Sequence, residues 1–328
     1  MIHDLILKDT TAEEWPAIRA KIRNRILENL GSFPVQPSPC PARFEELERY
    51  EAHGFTHIRI RYHVLADEWD CAVIILPKEL VKKRRAKAIL TIHGTNGTVG
   101  KYGVMSPDTR PNRAYALELA ERGYVTMSPD QFGFGEIMES DSGKSRFENF
   151  YKSYPDWSIT GRRVLGHIRA LDVLDALEYV IHDGYGTIGN SLGGQASFYL
   201  TGLDERIRAA VTSTGISPHA TNAYRLVHTP HPIHPYEARA MEKNGKSPWE
   251  LNEMLGLCAP RAILCIEPFN DRHNPYTAVT IDCVRSAHKV YALLGAPEYL
   301  SLHLHGDGHD TVPSVRAMAY DWLDRFLK

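Results

Sequence analysis

What these 328 residues lack narrows the field before any motif is read. Cysteine is scarce. Cys40, Cys71, Cys258, Cys265 and Cys283 make an odd set of five with no CxxC pair. That argues against a disulfide framework and leads us to expect reduced thiols in the cytoplasm. No apolar run approaches the ~18 residues that a membrane span requires. The opening Met1-Ile2-His3-Asp4 has neither the basic start nor the apolar core of a secretory signal. An excess of one charge is missing too: 38 Lys+Arg against 40 Asp+Glu leave a formal net charge of −2. No field therefore favours nucleic acid or an anionic membrane. The basic run Lys82-Lys83-Arg84-Arg85 lies between two apolar segments and reads as a solvated hairpin turn. Internal repeats and low-complexity tracts are absent.

What is present suffices to bury a core. With 43% hydrophobic and 24% charged residues, the chain suits one large α/β domain with insertions. Residues 11–30 read as an amphipathic helix. Thr11 and Glu14 form a capping-box pattern, Trp15, Ile18, Ile22 and Ile26 recur at helical spacing, and Gly31 marks the stop. This apolar stripe is expected to pack on the main domain; contact with a second copy is the alternative. Residues 34–41 (PVQPSPCP) make an extended connector. We place residues 1–55 in an N-terminal helical extension and connector and 56–328 in the main domain.

From residue 56 the pattern alternates strands with helices. Strands are expected at 56–64, 71–76, 86–92, 124–128, 185–189, 207–213, 261–267 and 299–305. Helices are expected at 111–122, 161–181, from 192, at 277–294 and at 312–327. This rhythm implies a mainly parallel central sheet with helices on both faces and an antiparallel edge. Two stretches, 131–160 and 216–256, break it and read as lid-like insertions at the end of the sheet where such folds place their sites.

Residues 189–194 read Gly-Asn-Ser-Leu-Gly-Gly, between the strand Tyr185-Gly186-Thr187-Ile188 and a helix. A nucleophilic serine needs a sharp strand-to-helix turn that exposes its oxygen, and glycines on either side let that turn close. Ser191 is the candidate nucleophile, and the N–H of Leu192 a candidate oxyanion donor. The chain order for such a turn is Ser, then acid, then His. Among His303, His305 and His309, the first two alternate with leucines along a strand, whereas His309 lies beyond it in a Gly-rich loop. His309 is the candidate base and His305 the alternative. Asp271, in the turn after strand 261–267, is the candidate acid, with Glu267 the alternative. His93-Gly94-Thr95-Asn96-Gly97 follows strand 86–92 and can aim a second backbone donor at the oxyanion: Thr95 first, Asn96 second. His93 is expected to order this loop rather than serve as the base.

Together these segments resemble the α/β-hydrolase superfamily, particularly its dienelactone-hydrolase-like and bacterial acetyl-esterase-like branch. The likeness rests on HGTNG (93–97), AYALELAERGYVTMSPDQFGFGE (114–136), GRRVLGHIRALDVLDAL (161–177), GTIGNSLGG (186–194), LDERIRAAVTSTG (203–215), APRAILCI (259–266) and GDGHD (306–310). It implies an α/β-hydrolase fold over 56–328, a Ser-His-Asp triad, and carboxylic-ester hydrolysis through an acyl-enzyme without cofactor or metal. Dienelactone hydrolases proper use a cysteine nucleophile, so serine at 191 does not imply lactone opening. Asn190 stands where His or Glu is common among relatives.

The expected partner is a small-molecule ester, short-chain or an acetylated sugar, with no nucleic acid and no membrane. An amidase, peptidase or C–C bond hydrolase on the same triad is the alternative, and a non-catalytic ligand-binding protein the third reading. His228, His231 and His234 (HTPHPIHP) read as lid or pocket wall, since the prolines prevent the helix that would align them as ligands. Asp130 to Glu136 (DQFGFGE) lacks the Lys-Ser/Thr ending of a phosphate loop and should shape the pocket. Arg162, Arg163 and Asp172 on the long helix are expected to form structural pairs.

Overall fold

The computed structural model describes residues 2–78, 80, 84–137, 143–222 and 247–327, with the backbone alone for 143–146. His228, His231, His234, Lys82 and Lys83 lie outside the described residues, as do parts of both expected insertions.

Nine strands form one sheet in the order β1-β2-β3-β5-β4-β6-β7-β8-β9. They are β1 (Phe44–Ala52), β2 (Phe55–Leu65), β3 (Glu68–Leu76), β4 (Ala88–Ile92), β5 (Val125–Pro129), β6 (Tyr185–Asn190), β7 (Ile207–Ser213), β8 (Ala262–Pro268) and β9 (Leu300–His305). The first three pair antiparallel, β3 joins β5 antiparallel, and from β5 to β9 every pairing is parallel. Parallel strands need crossovers, and helices supply them on both faces. The described helices are α1 (Trp15–Leu30), which precedes the sheet, α2 (Tyr115–Glu121), α3 (Gly143–Ser153), α4 (Ile159–Ala176), α5 (Leu192–Leu203), α6 (Leu251–Cys258), α7 (Thr277–Leu293) and α8 (Pro313–Leu327), which follows it. No described helix is long and apolar enough to cross a membrane.

The strand period of two splits the core. Ala210, Ile263 and Cys265 face the side covered by α1, α4, α5, α6 and α7; Ala209, Val211, Ala262 and Leu264 face the side covered by α2 and α8. Helix α1 buries Trp15, Ile22, Ile26 and Leu30 in the larger of these cores. It starts at Trp15 rather than Thr11, because Pro16 sets the first turn; of the expected box, the Thr11 N–H donates to Glu14 Oε2 at 2.8 Å.

The sheet also begins earlier than the sequence pattern indicates. Residues 44–52, expected within the N-terminal extension, form β1. Its sequence, FEELERYEA, shows no buried alternation because this edge strand is largely solvent-exposed on both faces. It is held by its ladder and by the cross-strand pairs Arg61–Glu45 and Arg59–Glu48. Between β4 and α2 a 3-10 segment, Gly97–Val104, carries the chain across the carboxyl edge of the sheet.

Candidate active site

Strand β6 ends at Asn190 and α5 begins at Leu192, so a single residue turns the chain. That residue, Ser191, has φ 57° and ψ −121°, a conformation that L side chains avoid. Two acceptors hold it there: Ser191 N–H reaches the Ser213 carbonyl at 2.8 Å and Thr214 Oγ1 at 3.0 Å. The turn packs against backbone. A β-carbon on Gly193 would stand 2.0 Å from the Ile92 carbonyl oxygen, and one on Gly189 would stand 2.3 Å from the Gly193 carbonyl carbon. Leu192 is the first helical residue, and its N–H has no acceptor within the helix.

The Gly-rich loop after β9 carries His309. Its Nδ1 donates to Asp271 Oδ2 at 2.6 Å. The Asp271 side chain is fully buried and its other oxygen accepts the His273 N–H at 2.8 Å; the His309 side chain is 28% exposed. The imidazole is thus fixed on one nitrogen and accessible on the other. Glu267, the alternative acid, instead accepts the Ile216 N–H at 3.1 Å. His305, the alternative base, stays in the strand with Nδ1 3.3 Å from Asp307. His309 and Ser191 border one cavity of about 80 Å³ with Gly94, Thr95, Asn96 and Arg110. No hydrogen bond joins Ser191 to His309; such contacts commonly tighten only when substrate is bound. Clefts of about 550 and 570 Å³ open at the opposite edge of the sheet, around Gly184 and Arg208, and neither is lined by Ser191 or His309. Chemistry, and not size, locates the site.

The third wall is the loop after β4. Burial holds the His93 imidazole neutral, its pKa pushed down to about 4. Its Nε2 accepts the Gln131 N–H at 3.0 Å while Nδ1 donates to the Gly94 carbonyl at 2.7 Å. Gln131 Nε2 returns a bond to the His93 carbonyl at 2.5 Å. Behind it lies an ion cluster whose Lys101–Asp130 pair is fully buried. Lys101 Nζ donates to Asp130 Oδ2 at 2.6 Å and to Glu136 Oε1 at 2.7 Å, and Lys101 N–H reaches Asp130 Oδ1 at 2.8 Å. Asp130-to-Glu136 therefore anchors the loop after β4.

Sequence reasoning missed this anchor, and it missed Arg113. Arg113 Nη2 donates to the His309 carbonyl at 2.9 Å and pairs with Asp310 at 3.0 Å, while Asn112 Nδ2 holds Asp310 at 2.6 Å. The available signal was position: two arginines, Arg110 and Arg113, in a turn-rich stretch just downstream of the HG loop. His273 was missed as well. Its ring meets that of His309 edge-on, with centroids 4.8 Å apart. Among the described residues Asp271, His273 and His309 could hold a metal ion, their donor atoms lying within 4.8 Å of one another. Two of those three groups are already joined by the 2.6 Å hydrogen bond between His309 and Asp271, which suits a relay.

No protein-family model matches the chain. A Bacillus subtilis (strain 168) protein named "Putative hydrolase YtaP" is 24% identical over 313 residues, covering 94% of this chain and 100% of that one. A glucuronoyl esterase from Solibacter usitatus superposes with a TM-score of 0.75 at 17% identity, covering 99% of this chain and 97% of that one. A Bacteroides fragilis NCTC 9343 protein named "putative acetyl xylan esterase" superposes with a TM-score of 0.71 at 17% identity, covering 92% and 77%. At such identities the likeness carries the backbone and not the reaction, and what it settles is that this chain is built on the α/β-hydrolase fold.

Proposed function

We propose that the chain is a carboxylic ester hydrolase that works through an acyl-enzyme on Ser191. One observation carries the reading: a serine held at positive φ shares a small cavity with an imidazole whose far nitrogen is bonded to a buried carboxylate. In the first half-reaction His309 Nε2 takes the Ser191 proton as Oγ attacks the ester carbonyl. Asp271 keeps the tautomer correct and stabilises the imidazolium. The N–H groups of Leu192 and Thr95 receive the oxyanion. The imidazolium then protonates the leaving alcohol. In the second half-reaction the same base activates water, which releases the acid and frees Ser191.

The substrate we infer is a short-chain ester, with an acetylated sugar as the first candidate. The described walls leave about 80 Å³ beside Ser191, room for an acetyl group. Two solved structures with the same backbone bear the names of esterases acting on carbohydrates. The test is a p-nitrophenyl ester series from acetate to octanoate, followed by acetylated xylo-oligosaccharides, with wild type and Ser191→Ala. Acetate should be turned over best, and the variant should lose roughly 10⁴-fold or more of kcat. Turnover that survives in Ser191→Ala, or none at any acyl length, overturns the reading. Faster cleavage of matched anilides than of esters would move it to an amidase.

A further inference from the structure

Helix α4 carries two neighbouring arginines that the fold treats in opposite ways. Arg162 is fully paired: its Nη1 and Nη2 donate to the two Asp70 oxygens at 3.1 and 2.7 Å, and its Nε to Glu68 at 2.9 Å. Arg163, expected to be paired as well, is not. It is 4% exposed, and only its Nε is used, donating to the Phe132 carbonyl at 3.1 Å. Its Nη1 and Nη2 have no hydrogen-bond partner, and the guanidinium lies 5.3 Å from the centre of the Phe134 ring. One turn on, His167 is 1% exposed with neither ring nitrogen bonded. Residues four apart on a helix are neighbours, and the Arg163 charge acts on the His167 ring, so the two orphaned groups form one buried polar spot.

Among the described residues, the nearby carboxylates are engaged elsewhere. Asp70 and Glu68 serve Arg162, and Asp130 and Glu136 serve Lys101. A buried guanidinium without a countercharge is among the costliest arrangements a fold can hold, and buried polar groups without partners point to an ion or water that completes them. Burial drags the guanidinium down to about 9 and the imidazole down to about 3, so His167 is a neutral ring with one N–H to give.

We propose that Arg163 and His167 form a buried site for a small monovalent anion of the chloride or nitrate class. The guanidinium supplies charge and two Nη donors, and the imidazole supplies the third N–H. Water would satisfy a donor but would bring no charge. Sulfate and phosphate, with more charge, would pay a far larger dehydration cost to enter a buried site, and a carboxylate is bulkier than chloride. The anion would sit behind the loop that supports the oxyanion side. Arg163 holds the Phe132 carbonyl, and the adjacent Gln131 holds His93. It meets no substrate, and the proposal stands whether or not the chain is an esterase.

The test uses the full-length chain in sodium chloride against sodium gluconate at equal ionic strength. The wild-type Tm should rise by roughly 2–5 °C with chloride and then saturate, as linkage to one site requires. Arg163→Met should show no chloride response. In gluconate it should be at least as stable as wild type, because it no longer buries an unpaired charge. Crystals grown in bromide should give an anomalous peak within hydrogen-bond reach of Arg163 Nη1 and Nη2. A wild-type Tm indifferent to chloride, a chloride response retained in Arg163→Met, or a bromide map empty at this position would each overturn the site. If Arg163→Met does not fold, the wild-type titration and the bromide map decide.

Discussion

The loop that carries Thr95 and the loop that carries His309 border the same cavity at Ser191, but they are held there differently. On the Thr95 side the anchor is charge in a dry interior: Lys101 and Asp130 are both 0% exposed at the side chain, and His93 is bonded through both ring nitrogens. On the His309 side the anchors are partly solvated. Arg113 and Asn112 tie down 309–310, and Asn270 bridges the loop to Gly306 and Gly308 at 2.7 and 3.0 Å. The difference matches what the proposed reaction asks of each side. An oxyanion donor works only if its N–H is already in place, since reorganisation during reaction forfeits its benefit. A base that serves first an attacking hydroxyl and then a leaving alcohol must keep one nitrogen reachable from both. Rigidity belongs on one side of the serine and access on the other.

The sharpest way to break this comparison is to disturb the relay without moving it. Asp271→Asn keeps the shape beside His309 but offers an N–H or a neutral oxygen where a carboxylate stood. We expect kcat for ester cleavage to fall roughly 10³–10⁴-fold, with little change in Tm. A loss under tenfold would mean that Asp271 does not set the tautomer. The next largest effect belongs to the dry side. Lys101→Met leaves Asp130 buried without its cation and should cost about 3–5 kcal/mol of stability, read by urea denaturation. It should also lower kcat more than it raises KM, because the donor is displaced from the transition state and not from the ground state. An unchanged urea midpoint would show that the loop is held by something else. Arg113→Ala tests the solvated side and should be milder. We expect about a tenfold fall in kcat and a small shift in Tm, since the surviving Asn112 and Asn270 bonds still hold the loop. A kcat loss as large as that of Asp271→Asn would place Arg113 in direct service to the reaction.

The same contrast explains what could be read from the chain alone. Ser191 and His309 were legible because each lies in a short motif at a strand end, and chain order ranks the histidines. Glu267 ends β8 and Asp271 lies in the turn just after it, and nothing local separates them; the fold does, by turning Glu267 toward the Ile216 N–H. The parallel strands β4 to β8 were legible because both of their faces are buried. β1 was not, because an edge strand reading FEELERYEA has no apolar period to detect. Lys101 and Arg113 were illegible for another reason. Their partners lie 29 and 196 residues away, and a lone basic residue carries no mark of burial. Arg163 misled for the same reason, since its place beside Arg162 says nothing about which of the two finds a carboxylate.

The smallest effect is also the most diagnostic of the dry side. His93 titrates at about 4 in the folded protein, against an ordinary value of 6.5, and burial is the larger cause. Asp130, 4.0 Å away, opposes the shift without cancelling it. The unfolded chain therefore binds more protons than the folded one between these two values. Stability must rise with pH through that window, and the His93 contribution is lost as pH falls from about 6.5 toward about 4. His167, pushed down to about 3, adds a slope of the same sign, so the wild type should weaken steeply below neutrality. His93→Gln retains a donor and an acceptor in that position but no titrating ring. Urea denaturation at a series of pH values should then show a shallower acid limb, by close to one proton near pH 5, or roughly 1.4 kcal/mol per pH unit. Parallel curves for the two proteins would mean that the imidazole beneath the oxyanion-side loop is already solvated, and the dry anchor would lose its main support.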